Sequence, residues 1–238
     1  MYKNYIFDLY GTLVDIHTDE KDKSLWSKLA LFYSFNNALY SGKEIEEKYH
    51  EFVDDEKAKI TDTEYKDFPL ERVFKRLYTF KNVNPNEQLI TSTAHFFRIT
   101  SMEYVRLYEG AEDLLKKLKS KGKKVYLLSN AQRIFTIYEM KSLGIEKYFD
   151  DIFISSDNFA CKPYKKFYMN LINKHDIDVN ESIMIGNDLI SDIKGAQRCG
   201  IDTLYIKSNL SPEIDEEVKP VYEILDGNVN KIAEMIVK

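Results

Sequence analysis

From Gly110 onward the sequence alternates between two textures, and that alternation restricts the possible folds more than any other feature. AEDLLKKLKSKG is an amphipathic helix with Gly122 placed to end it, and the apolar run VYLLS reads as a strand. AQRIFTIYEMKSLG is a second helix closing on Gly144, and DIFIS is the next strand. YKKFYMNLINKHD, SIMIG, SDIKGAQRCG and DTLYI continue as helix, strand, helix and strand. A strand near Val221 to Ile224 and a short amphipathic helix complete the chain. Strand and helix repeating at this spacing predict a parallel sheet wrapped by helices, an α/β fold of Rossmann-like type. The opening strand in YIFDLYGTLVD is apolar on both faces and too short to fold alone, so it is expected in the same sheet.

Between that opening strand and Gly110 the texture changes. Residues from about 18 to 107 read as helices with no convincing strand among them. Leu25, Leu29, Phe32 and Tyr33 share one helical face, and Ser41 to Glu44 has capping-box spacing ahead of Ile45, Tyr49, Phe52 and Val53. Further helical stretches are expected near 69–80 and 86–107. The organisation predicted is a core of residues 1–14 and 108–238, interrupted by an inserted all-helical unit at 15–107. The aromatic residues of the insert are read as packing between helices.

Bulk properties exclude several classes. Apolar residues at 44% and charged residues at 31% describe an ordinary globular chain rather than a disordered one. A net charge of −5 gives no general attraction to nucleic acid or an anionic membrane, so neither partner is expected. Cys161 and Cys199 are too few for a disulfide framework, and the histidines at 17, 50, 95 and 175 show no ligand spacing. No apolar run approaches the roughly 20 residues that span a bilayer. MYKNYIFDLYG lacks the features of a signal peptide, which leaves the cytoplasm as the expected compartment.

In a parallel α/β sheet ligands bind at the carboxyl ends of the strands. Four such ends carry chemistry: Asp8 to Thr12, Ser129 and Asn130, the loop 155–163, and Gly186 to Asp192. Together they offer carboxylates, a lysine at Lys162 fixed by Pro163, a hydroxyl and an amide. Phosphoryl transfer asks for that set, since oxygen ligands hold magnesium and a cation screens the phosphate from an attacking carboxylate.

DLYGT, LLSNA, CKP and IGNDLISDIKGA occur in the order and spacing of one family, and the chain resembles the haloacid dehalogenase (HAD) superfamily of hydrolases along its whole length. The resemblance implies a magnesium-dependent phosphatase acting on a small phosphorylated metabolite, with the helical insert as a cap. It implies that Asp8 is the nucleophile and that Gly11 and Thr12 shape the phosphate-binding turn. Ser129 and Asn130 would bind phosphate oxygens, and Lys162 would neutralise both the phosphate and Asp8. The metal would be held by Asp8, the backbone carbonyl of Tyr10, and residues among Asn187, Asp188 and Asp192. Either Asn187 or Asp188 fits the first ligand position of the last motif, and one of the two acids there is open to a helix-capping role instead.

Tyr10 departs from the family's phosphatases, where an aspartate protonates the leaving group and activates water. A phenol with a pKa of about 10 donates a hydrogen bond at neutral pH but is a poor base. Losing general acid–base help typically costs about 10²–10⁴-fold in rate. A tyrosine here resembles the family's metal-independent 2-haloacid dehalogenases, which is the alternative reading. Against it, Asp188 and Asp192 are kept, and no arginine precedes Arg72. A third expectation, a phosphate-binding regulatory protein without turnover, rests on Tyr10 and Asn187 together.

Overall fold

The computed structural model describes residues 1–237. The first strand, β1 (Asn4–Phe7), is followed after a tight turn by β2 (Val14–Thr18). Four helices come next: α1 (Lys23–Phe35), α2 (Gly42–Ala58), α3 (Glu71–Phe80) and α4 (Glu87–Ser101). The strand β3 (Met102–Leu107) leads back, and then α5 (Ala111–Ser120), β4 (Lys124–Ser129), α6 (Arg133–Ser142) and β5 (Asp151–Ile154) follow. After α7 (Ser155–Asn158) and α8 (Lys165–Lys174) come β6 (Ser182–Gly186), a π-helical stretch at Leu189–Lys194 and α9 (Gly195–Gln197). The chain closes with β7 (Asp202–Ile206), β8 (Tyr222–Ile224) and α10 (Asn230–Ile236).

Six strands form one parallel sheet in the order β5-β4-β1-β6-β7-β8. The chain runs outward from β1 through β4 to β5, then returns to β6 on the other side of β1. The strand order therefore reverses beside β1, which opens a crevice at the carboxyl ends of β1 and β6. Successive side chains enter different cores: Tyr5, Phe7, Val125, Leu127, Ile183 and Ile185 pack in one buried cluster with α5 and α10. Ile6, Tyr126, Leu128 and Met184 pack in another with α8. Burial on both faces explains why these strands read as unbroken apolar runs rather than as alternating ones.

The helices α1 to α4 build a third cluster around Trp26, Tyr33, Phe74 and Phe97, which also takes in Ile134 and Phe135 of α6. One expectation fails at the edge of this region. Residues 86–107 are not helical throughout, because α4 stops at Ser101 and β3 begins at Met102. That strand pairs antiparallel with β2, Val14 opposite Leu107 and Ile16 opposite Val105. MEYVRL suits the ladder once VDIHT lies beside it, and nothing local marks the change from helix to strand. Among the described residues no helix is long and apolar enough to cross a membrane.

Candidate active site

The turn after β1 delivers Asp8. Gly11 N donates to the Val14 carbonyl, while the Leu9 carbonyl accepts from Leu13 N and Val14 N. Gly11 sits at φ +86°, and a Cβ there would lie 2.2 Å from the Asn187 side chain. The turn that aims Asp8 and the loop after β6 thus touch at a position only glycine fits. A second close approach holds the far end of the loop, since a Cβ on Gly186 would fall 2.2 Å from Asp192 Oδ2.

Four loops converge on the Asp8 carboxylate. Lys162 Nζ donates to Asp8 Oδ1 at 2.8 Å and to Asp192 Oδ1 at 2.6 Å. Ser129 Oγ donates to Asp8 Oδ1 at 3.2 Å, and Thr12 Oγ1 lies 3.4 Å from Asp8 Oδ2 and 3.3 Å from Asn187 Oδ1. Thr12, Ser129, Lys162 and Asp192 are all buried. Burial works against the Lys162 charge, but Asp192 and Asp8 outweigh it and hold the ammonium above its ordinary pKa. Burial pushes Asp192 up to about 7, with Lys162 pulling against it and Asp8 adding to it.

The remaining site residues take distinct positions. Asn130 clamps the lysine loop: its Oδ1 accepts from Lys162 N at 2.8 Å and its Nδ2 donates to the Lys162 carbonyl at 3.1 Å. Its side chain is therefore occupied in holding Lys162, whose bond to Pro163 is cis. Asp188 caps the π-helical stretch, its Oδ1 accepting from Ile190 N at 2.8 Å and Ser191 N at 2.9 Å. Asp192 Oδ2 accepts from Asp188 N at 3.0 Å. Asp8, Tyr10, Asn130, Lys162, Asn187, Asp188 and Asp192 all line one cavity of about 170 Å³. Gly11, Thr12 and Ser129 stand behind the carboxylate as its support.

Tyr10 points its hydroxyl elsewhere. It donates to Glu139 Oε2 at 2.5 Å and lies 3.1 Å from Thr136 Oγ1, both on α6. Arg98 on α4 donates through Nε to Glu139 Oε1 at 2.6 Å, with its guanidinium near the Tyr10 ring. Burial, then the Glu139 charge, raises the phenol well above its ordinary pKa, so it stays protonated. Asp15, the nearest other acid in sequence, is committed to Arg106, Tyr104 and Asn209.

Reasoning from sequence passed over Glu139 and Arg98, as well as Ser191, Leu210 and Pro212, which complete the cavity wall. Glu139 lies 129 residues from Tyr10, inside an unremarkable helical stretch, and no local signal could have singled it out. The loop between α2 and α3 also reaches the site loops. Asp67 accepts from Gln132 Nε2 and Ser155 Oγ, and the Tyr65 carbonyl accepts from Cys161 N beside Lys162.

A family model of haloacid dehalogenase-like hydrolases matches residues 2–200. The chain belongs to this family. Among curated relatives, the HAD-hydrolase YfnB of Bacillus subtilis is 29% identical over 120 residues, 50% of each chain. The pyrimidine 5′-nucleotidase PynA of Streptococcus pneumoniae is 24% identical over 228 residues, 94% of this chain and 91% of PynA. The chain thus spans about half of YfnB and most of PynA in these alignments. A crystal structure of YfnB bound to magnesium superposes with a TM-score of 0.58 at 21% identity, covering 100% of this chain and 99% of YfnB. A 2-haloacid dehalogenase from Pseudomonas syringae superposes with a TM-score of 0.66 at 18% identity, covering 98% and 97%. YfnB and the dehalogenase thus share the fold of this chain.

The donors around the cavity suit a hard cation. Asp8, Asn187, Asp188 and Asp192 are all oxygen donors on one wall, and magnesium needs only one or two carboxylates beside water and substrate phosphate. No group of three acidic, histidine or cysteine side chains gathers into a ready-made metal cage among the described residues. The fit is to an open magnesium site, not to a closed one.

Proposed function

We propose that this chain hydrolyses small phosphorylated metabolites, with Asp8 as nucleophile and magnesium as cofactor. The observation that carries the reading is the convergence of Lys162, Ser129 and Thr12 on one buried-edge carboxylate at the switch point of the sheet. Relatives that act on phosphate esters, PynA among them, support the substrate class. Magnesium, held by Asp8, the Tyr10 carbonyl and Asn187 or Asp188, would supply charge neutralisation at the phosphoryl oxygens.

In the first step an Asp8 oxygen bonds to phosphorus as the ester P–O bond breaks and the leaving oxygen departs. Lys162, 2.8 Å from Asp8 Oδ1, faces the charge gathering on phosphorus. The Ser129 hydroxyl, behind the carboxylate, steadies Asp8 Oδ1 as Asp8 reacts. In the second step water attacks phosphorus, the bond to Asp8 breaks, inorganic phosphate leaves and the carboxylate returns. With its hydroxyl given to Glu139, Tyr10 supplies neither the leaving-group proton nor a base. Both tasks fall to solvent, and the second step is slow. The helical region 15–107 serves as the cap over a core of 1–14 and 108–238, closing around the β2–β3 ladder to exclude bulk water.

The test is release of phosphate from an aryl phosphate with magnesium and with chelator, in wild type and Asp8→Asn. Magnesium-dependent turnover lost in the variant supports the proposal. One observation favours a second reading: Lys162 already bridges Asp8 and Asp192, a charge balance that a metal-free dehalogenase could use. Chloride release from 2-chloropropionate in chelator would establish it. Arg98, the arginine beside Tyr10, is balanced by Glu139 and is not free to hold a carboxylate or halide. Binding of a phosphate analogue with no turnover of either compound would point instead to a regulatory protein.

A further inference from the structure

The cavity over Asp8 has two kinds of wall. One is the polar set already described; the other is apolar, made by Leu210 and Pro212 alongside Tyr10. No residue of α1 to α4 lines it. Leu210 and Pro212 belong to the segment after β7, a part of the core that the chemistry itself does not use.

That segment is built to hold its shape. Lys207 N donates to the Ile224 carbonyl at 2.8 Å, Ser208 N donates to Ser211 Oγ at 2.9 Å, and Leu210 N donates to Ser208 Oγ at 3.3 Å. Asn209 ties it down further. Its Nδ2 donates to Asp15 Oδ1 at 2.9 Å, and its Oδ1 accepts from Tyr108 at 2.5 Å. Asp15 is buried on β2 and also takes Arg106 of β3 at 2.7 Å. The residue next to this clasp is Leu210, held at the cavity rim.

An apolar rim beside an anion site contributes nothing to the phosphate. What it can touch is the group esterified to that phosphate. The cavity, about 170 Å³, is smaller than the roughly 300 Å³ at which drug-sized ligand pockets begin, so a group esterified to a phosphate held over Asp8 crosses the rim on its way to solvent. We propose that Leu210 and Pro212 form the leaving-group wall, selecting phosphomonoesters with a compact apolar or aromatic leaving group over polyhydroxylated ones. Asn209 is the positioning residue that holds this wall. The inference rests on the phosphatase reading above.

The experiment compares kcat/KM for phenyl phosphate and glycerol 3-phosphate, with magnesium, in wild type, Leu210→Ala, Leu210→Met and Asn209→Ala. Wild type should prefer phenyl phosphate. Leu210→Ala should narrow the ratio by about tenfold, the low end for an apolar pocket contact, chiefly through KM for the phenyl ester. Leu210→Met should keep most of the preference, and Asn209→Ala should narrow it as Leu210→Ala does. Equal losses on both esters in Leu210→Ala, or a wild-type preference for glycerol 3-phosphate, would overturn the proposal while leaving the phosphatase reading intact. No hydrolysis of either ester by wild type would refute the phosphatase reading, and the leaving-group wall with it.

Discussion

Two buried charge clusters flank the Asp8 loop, and they are balanced differently. On one side Asp8 and Asp192 share a single ammonium, Lys162, with Asp188 on the same cavity wall. On the other, Glu139 faces Arg98 and receives the Tyr10 hydroxyl, so charge and hydrogen bonding close on themselves. Burying charge is costly unless it is paired, and breaking a pair costs more than never having made it. The first cluster keeps an excess of carboxylate that a cation or a phosphate–metal complex would relieve. The second pairs its two charges with each other. It joins α4 to α6 and engages the Tyr10 hydroxyl.

If that contrast is right, damage to the two clusters should differ in kind. Lys162→Met should have the largest catalytic effect, lowering kcat by at least about 10²–10³-fold, the range for removing one charge-stabilising donor from an active site. Steady-state kinetics on an aryl phosphate would measure it, and a loss confined to stability would contradict the assignment. Glu139→Gln should instead act on the fold. It leaves Arg98 without its counter-charge, at a cost of about 3 kcal/mol, the low end for a broken buried pair because Arg98 keeps some contact with water. Denaturant unfolding reads this directly, and restoring stability by adding Arg98→Met would tie the loss to the pair.

Smaller effects sharpen the comparison. Tyr10→Phe should reduce turnover by far less than the roughly 10²-fold that marks loss of a general acid–base. Its pH–rate profile should also overlay that of wild type up to about pH 10. A phenol whose pKa is raised by burial and by Glu139 stays protonated throughout that range, so it can contribute no alkaline limb. An alkaline limb present in wild type and lost in Tyr10→Phe would show that the hydroxyl reaches the reaction after all.

The two clusters were also unequally legible. Asp8, Lys162 and Asp192 lie in the connections that follow β1, β5 and β6, and each is near a local marker: a glycine turn, a proline, a Gly-Asn-Asp run. Topology then brings marked positions together, and the sheet itself was readable because its strands are buried on both faces. Glu139 and Arg98 carry no such markers. Their meaning comes from a contact across 41 residues with each other, and across 129 between Glu139 and Tyr10. The strand β3 was hidden for a similar reason, since its partner β2 lies far back in the chain and no glycine or proline separates it from α4. At Asp188 the ambiguity was chemical, because a carboxylate at a helix start can cap or ligate. The structure uses one oxygen for the cap and leaves the other on an acid that lines the cavity.

Attack of Asp8 on phosphorus, without help from Tyr10 in releasing the product, is the step on which the proposed function turns. Its most direct test is a denaturing quench during steady turnover of an aryl phosphate with magnesium, followed by mass spectrometry of the peptide carrying Asp8. Phosphate should be found on Asp8 in a large fraction of the enzyme, because hydrolysis of the aspartyl-phosphate is the slow step. Phosphate release with Asp8 unmodified throughout, or undiminished in Asp8→Asn, would contradict it.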